Sequence, residues 1–173
     1  MLEAAVFLGA LREADVEWLV ANSTQHEIQS GAVLINRGEP VEFLYLVVDG
    51  AFDVTVLFPD ERHVATLYAG ELIGEMSFVD RHPPSATVRG AVKSRVLAVP
   101  KIALTGKIRS DHEFGARFYL GVSKLLAGRL RAAYSIDDRT RVDAGNEAEM
   151  EVLARRFEEI QRHLGLRRLA QGS

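Results

Sequence analysis

The sequence predicts a mainly β fold with flanking helices, an eight-stranded antiparallel jelly-roll barrel with N-terminal helices before it and C-terminal helices after it. Two observations carry this. Between His26 and Pro100, eight short apolar or β-branched runs alternate with turn residues, the signature of many short antiparallel strands rather than of a βαβ sheet. On either side of that stretch the apolar residues return to helix-like spacing.

Taken in order, Met1 to Asn22 carries Val6, Phe7, Leu11, Val16, Leu19 and Val20 at helical intervals, interrupted around Gly9, with Trp18 as a packing residue. The β runs are HEIQS, AVLIN, FLYLVV, FDVTVLF, HVATLY, ELIG, ATVRG and RVLAV, separated by SG, RGEP, DG, PDER, AG, DRHPP and VKS. Asp49-Gly50 between two of them predicts a hairpin, because this pair supplies the positive φ angles of a tight turn. After Pro100, Phe114, Phe118, Val122, Leu125, Leu126 and Leu130 predict one long amphipathic helix ending near Ala133. A polar stretch rich in Asp and Arg follows. Asn146 then opens a last helix, with Glu149 completing a capping box and Gly165 as its C-cap. Met150, Leu153, Phe157, Ile160 and Leu164 form a short heptad seam, which suits either packing on the same domain or self-pairing. The expected organisation is one domain over 1–133, a polar linker over 134–146, and an amphipathic helix and tail over 147–173.

Composition narrows the function classes. The chain has 173 residues, a hydrophobic fraction of 47%, no cysteine and a net charge of −3. Disulfide frameworks, thiolate metal sites and cysteine nucleophiles are excluded. The charge argues against coating nucleic acid, and five Glu balance five Arg within 147–173. No segment is apolar enough to span a bilayer, and the first residues lack the basic start of a signal peptide. A cytoplasmic protein that does not meet the membrane is expected.

The stretch from Gly70 to Gly90, GELIGEMSFVDRHPPSATVRG, holds the candidate site. A short apolar strand runs into Gly74 and Glu75, followed by a helical turn over Met76 to Val79. A charged, proline-rich loop then leads to Ser85, Ala86 and Thr87 at the start of a strand. Glycine lets backbone approach a ligand, and free N–H groups at a helix start suit an anion. Catalytic signatures are missing. The five histidines show no metal-ligand spacing, and neither a GxSxG elbow nor a GxxxxGK[ST] loop is present. Ser77, Ser85 and Thr87 lack an identifiable base. Glu71 and Glu75 could be imagined as an acid–base pair across the strand-to-turn junction. A binding module without metal or cofactor is expected, not an enzyme.

Arg37-Gly38-Glu39-Pro40, Leu44-Tyr45-Leu46-Val47-Val48-Asp49-Gly50, and above all Ile73-Gly74-Glu75 with Ser85-Ala86-Thr87-Val88 resemble the cyclic nucleotide-binding domain family, the fold of catabolite activator protein and of the regulatory subunits of cAMP-dependent kinase. The resemblance covers roughly Leu8 to Ala133. It implies a pocket for cAMP or cGMP built from Gly74, Glu75, Met76, Ser77, Ser85, Ala86 and Thr87. Glu75 would accept a hydrogen bond from the ribose 2′-hydroxyl, and the backbone N–H groups of Ser85 and Ala86 would meet the cyclic phosphate.

One departure stands out. The family places a phosphate-binding arginine about nine residues after the glutamate, and here that count reaches Pro84, followed by Ser85. Proline brings neither charge nor N–H. Arg81 and His82, in the same loop, are the candidate substitutes, whereas Arg89 alternates with Val88 and should face outward. The resemblance further implies that ligand shifts the helices after the β region, passing the signal to dimerisation or to a partner protein through 114–133 and 147–164. The residues after Ala133 read as a linker and one helix, so a stand-alone regulatory module without DNA binding is expected. The alternative is a ligand-independent interaction domain whose pocket is unused.

Overall fold

The computed structural model describes residues 2–57, 59–134 and 158. The expected linker and terminal helix fall outside the described residues, apart from positions 134 and 158. The chain opens with α1 (Leu2–Gly9) and α2 (Glu13–Ala21), separated at the Gly9 break. The Asp15 carboxylate accepts a 2.8 Å hydrogen bond from the Arg12 N–H at the start of α2, closing a capping box that fixes where this helix begins.

All eight β runs form strands: β1 (Thr24–Ile28), β2 (Val33–Ile35), β3 (Phe43–Asp49), β4 (Ala51–Leu57), β5 (Glu61–Tyr68), β6 (Leu72–Ile73), β7 (Thr87–Gly90) and β8 (Ser94–Pro100). They do not close into the expected barrel. They divide into two four-stranded antiparallel sheets, ordered β1-β8-β3-β6 and β2-β7-β4-β5. Closure fails because β6 pairs with β3 only at Tyr45↔Ile73 and Leu46↔Leu72. Gly74 then turns the chain into a helix, and this edge ends before reaching the second sheet.

The Asp49-Gly50 hairpin is a second correction. β3 pairs with β6 and β8, while β4 pairs with β5 and β7, so the two strands flanking this dipeptide lie in different sheets. Gly50 is a corner, with φ of 89°. A Cβ there would stand 2.1 Å from the Ser94 hydroxyl oxygen, and that hydroxyl accepts a hydrogen bond from the Ala51 N–H at 3.0 Å. Positive φ and close approach both demand glycine; neither requires a hairpin.

The first sheet is apolar on both faces, which explains the unbroken run LYLVV in β3 and VLAV in β8. Leu44, Leu46, Val48, Leu97 and Val99 pack against the helices. Val47, Val96 and Ile73 of this sheet pack with Ile35, Phe52, Leu67 and Val88 of the second sheet. After β8 come α4 (Lys101–Ser110) and α5 (His112–Tyr134). The apolar spacing from Phe114 onward marks α5 but does not set α4 apart as a helix of its own. Asp111 separates them, its carboxylate accepting from the Lys107 ammonium and the Phe114 N–H at 2.8 and 2.9 Å.

α5 buries Phe114, Phe118, Val122 and Leu125 against α1, α2 and the first sheet. Phe118 meets Phe7 edge-on at 5.5 Å between ring centroids. Asp15 in α2 accepts from Arg117 Nε and Nη2 at 2.6 and 2.8 Å, a two-pronged bond that fastens α2 to α5. Leu130, assigned to the apolar stripe by spacing, is instead 59% exposed. The stripe at that turn continues through residue 129, four after Leu125, and there the chain carries an arginine.

Candidate functional site

A cavity of about 700 Å³ opens between the second sheet, the chain following β6 and the end of α5. Ile73 and Gly74 bring the chain to it. Gly74 caps the short helix α3 (Glu75–Val79) with φ of 89°, and a Cβ at this position would stand 3.3 Å from the Phe43 carbonyl oxygen. A left-handed residue pressed against backbone is a place for glycine. The turn delivers Glu75 into the cavity as a buried side chain, 5% exposed.

Gly74, Glu75, Met76, Ser77, Ser85 and Ala86 all line this one cavity, as does His82. Met76 stands at its rim, 55% exposed. Thr87 is not among the lining residues; its hydroxyl instead accepts from the Arg37 N–H at 3.2 Å, joining the turn before β3 to β7. Pro84 also lines the cavity, and its carbonyl accepts from the Gly38 N–H at 2.8 Å. Arg81 lines a different groove of about 480 Å³ on the far side of α3, shared with Lys101, Thr105 and Arg109. There burial pulls the Lys101 ammonium below the usual lysine range, against the opposing pull of Asp80 and Glu75. Arg89 is exposed, as its alternation with Val88 requires. His82 is 80% exposed and faces the Asp80 carboxylate at 3.5 Å.

The charged centre of the cavity was not read from the sequence. Arg129 of α5 donates from Nη1 to the Glu75 carboxylate and from Nη2 to the Leu72 carbonyl at 2.8 Å. The same nitrogen lies 3.9 Å from Glu71 Oε1. Glu71 is itself buried, and its other oxygen accepts from the Tyr68 N–H. Glu71 and Glu75 therefore do converge, but around a guanidinium rather than as a free acid–base pair. Arg129 Nε is buried and meets no acceptor among the described residues. The available signal was periodicity: an arginine at 129 falls on the face that buries Leu125, and an arginine in an apolar stripe needs an acidic partner.

A family model described as the cyclic nucleotide-binding domain matches residues 25–111. Together with the two-sheet fold and its cavity, this shows that the chain belongs to the cyclic nucleotide-binding domain family. It is 36% identical over 72 residues to a cyclic nucleotide-gated potassium channel of Rhizobium etli, covering 42% of this chain and 19% of the channel. It is 33% identical over 89 residues to the cAMP-activated global transcriptional regulator CRP of Salmonella typhimurium, covering 49% of this chain and 41% of the regulator. The chain thus spans less than half the length of these relatives. A cyclic nucleotide-binding domain from Methylobacillus flagellatus shares the fold at a TM-score of 0.69 and 19% identity, over 80% of this chain and 87% of that one. The relatives support a regulatory, nucleotide-binding module, a family typically regulatory rather than catalytic. No described helix is long and apolar enough to cross a membrane, and no group of residues that could hold a metal occurs among the described residues.

Proposed function

We propose that this protein is a regulatory module that senses a cyclic nucleotide, cAMP or cGMP, in the cavity beside Glu75 and passes the signal through its C-terminal helices. The observation that carries the reading is the convergence in one cavity of Glu75, Ser77, Ser85 and Ala86 with the end of α5. Glu75 can accept a ribose hydroxyl but cannot donate when ionised. The N–H groups of Ser85 and Ala86 are the backbone donors for a phosphate, and Pro84 stands where the family carries its phosphate arginine. Truncating a buried charge partner costs about 2–5 kcal/mol, so affinity falls tens- to thousands-fold below that of a family-type site.

Output follows from placement. α5 supplies one wall of the cavity, and a ligand acts on it only through unequal affinity for two arrangements of that helix. The receivers we propose are a second copy of this chain or a partner protein, meeting 114–133 and 147–164. Within these 173 residues no DNA contact is proposed, and a cytoplasmic site of action fits. One feature favours a second reading, a ligand-independent interaction domain: the Glu75 carboxylate already has a partner within the chain.

Titration calorimetry with cAMP, cGMP and cyclic dinucleotides separates the two. Saturable heat that disappears in Glu75→Ala supports sensing. No heat up to millimolar ligand, with an unchanged melting temperature and a stable dimer in sedimentation, establishes the second reading.

A further inference from the structure

We infer that Arg129 is the residue that selects an anionic ligand in this cavity, supplying from α5 the cation that the loop at Pro84 does not carry. The inference rests on the nucleotide-sensing reading and assigns the charge recognition within it.

Arg129 is the one lysine or arginine among the described residues that line the cavity; it meets Glu75 and Glu71 there, and Asp80 is the third acid of the lining. Arg81 lies in the other groove, and His82 is turned toward Asp80. With three carboxylates in the lining, one guanidinium decides whether a phosphate is tolerated. Remove it and the lining keeps His82, which sits beside Asp80, and three acids, which repel an anion at close range. A planar guanidinium also suits phosphate better than an ammonium does, because its fork binds two oxygens at once.

The guanidinium is held but not saturated. Nη1 is bonded to Glu75 and Nη2 to the Leu72 carbonyl, while Nε is buried and meets no acceptor among the described residues. An unmet buried donor is costly, so a rearrangement that gives Nε an acceptor is favoured. The side chain is 23% exposed, which leaves room for it to pivot toward a ligand. A phosphate that draws the guanidinium away from Glu75 frees that carboxylate for the ribose hydroxyl. Both events bear on α5, because Arg129 is part of it.

The test compares cAMP with adenosine, which shares the base and hydroxyls but lacks the phosphate, by calorimetry on the full chain, Arg129→Gln and Arg129→Lys. Circular dichroism establishes that each variant is folded. The unaltered protein should prefer cAMP. Arg129→Gln should weaken cAMP by about thirtyfold or more, the lower end for a truncated charge partner, with adenosine changed far less. Arg129→Lys keeps the charge without the fork and should lose several-fold of the preference. Should the glutamine variant not fold, the lysine variant decides alone. A cAMP-to-adenosine ratio that stays the same in the folded variants overturns the role of Arg129 while leaving nucleotide sensing intact. A protein that binds neither compound overturns the sensing reading, and this inference falls with it.

Discussion

Glu75→Ala puts the cavity's central contact to a quantitative test of stability. The Glu75 side chain is 5% exposed and that of Arg129 23%, so the alanine variant leaves a largely buried guanidinium short of its main partner. Removing one member of a buried ion pair costs about 3–5 kcal/mol. Arg129 keeps the Leu72 carbonyl at 2.8 Å and has Glu71 at 3.9 Å, which places the expected loss near the lower end, about 3 kcal/mol. At about 2–4 °C per kcal/mol for a chain of this size, the melting temperature should fall by about 6–12 °C. Urea unfolding followed by fluorescence is the assay. Trp18, the single tryptophan of the chain, lies 5.7 Å from the Phe114 ring on α5 and reports the packing of that helix. A loss below about 1 kcal/mol, the value of an exposed pair, would refute the reasoning, because it would mean that solvent reaches Glu75 and Arg129 freely. Combining Glu75→Ala with Arg129→Ala should cost less than the sum of the single changes, since both remove one interaction.

Three further outcomes are expected. Phe118→Ala empties a fully buried position against Phe7 and Phe114, and thermal unfolding should record a loss of about 3–5 kcal/mol. Gly50→Ala sets a Cβ against Ser94 and forces alanine to positive φ; chemical denaturation should show at least the roughly 1–2 kcal/mol of the left-handed penalty, with more from the clash. Asp15→Asn tests the link between α2 and α5. The Arg117 hydrogen bonds hold the Asp15 carboxyl below its usual range, so its folded value lies under its unfolded one. Its stabilisation is then present above an unfolded carboxylate value of about 3.9 and is lost as pH falls through the folded value. The melting-temperature gap between the protein and Asp15→Asn should be wide at neutral pH and close in acid; a gap that widens in acid contradicts this origin.

The strands were legible because they are short, β-rich and punctuated by turn residues. Their assembly was less so. Asp49-Gly50 demands positive φ in a corner as much as in a hairpin, and only the partners of β3 and β4 distinguish the two. Closure of the barrel depended on how far β6 pairs, which its two residues do not advertise. In the cavity, Gly74 and Glu75 were legible because glycine and an acid follow an apolar strand. Ser85 and Ala86 fell within the candidate stretch as part of a small-residue run, and their role toward a phosphate came from family resemblance. Thr87 was placed by adjacency, yet its hydroxyl serves Arg37, since neighbours along a strand point to opposite faces. Arg129 lies 54 residues from Glu75, beyond the reach of any local motif. Its one trace was a charge in line with Phe118, Val122 and Leu125, a position that helical spacing alone passed over in favour of Leu130.

The coupling of ligand to α5 is most directly measured by amide hydrogen exchange of the full chain with and without saturating cAMP. Changed protection is expected around 74–77 and along the last turns of α5 near Arg129, with neither change in Glu75→Ala. Exchange in α5 that is identical with and without bound nucleotide would contradict it.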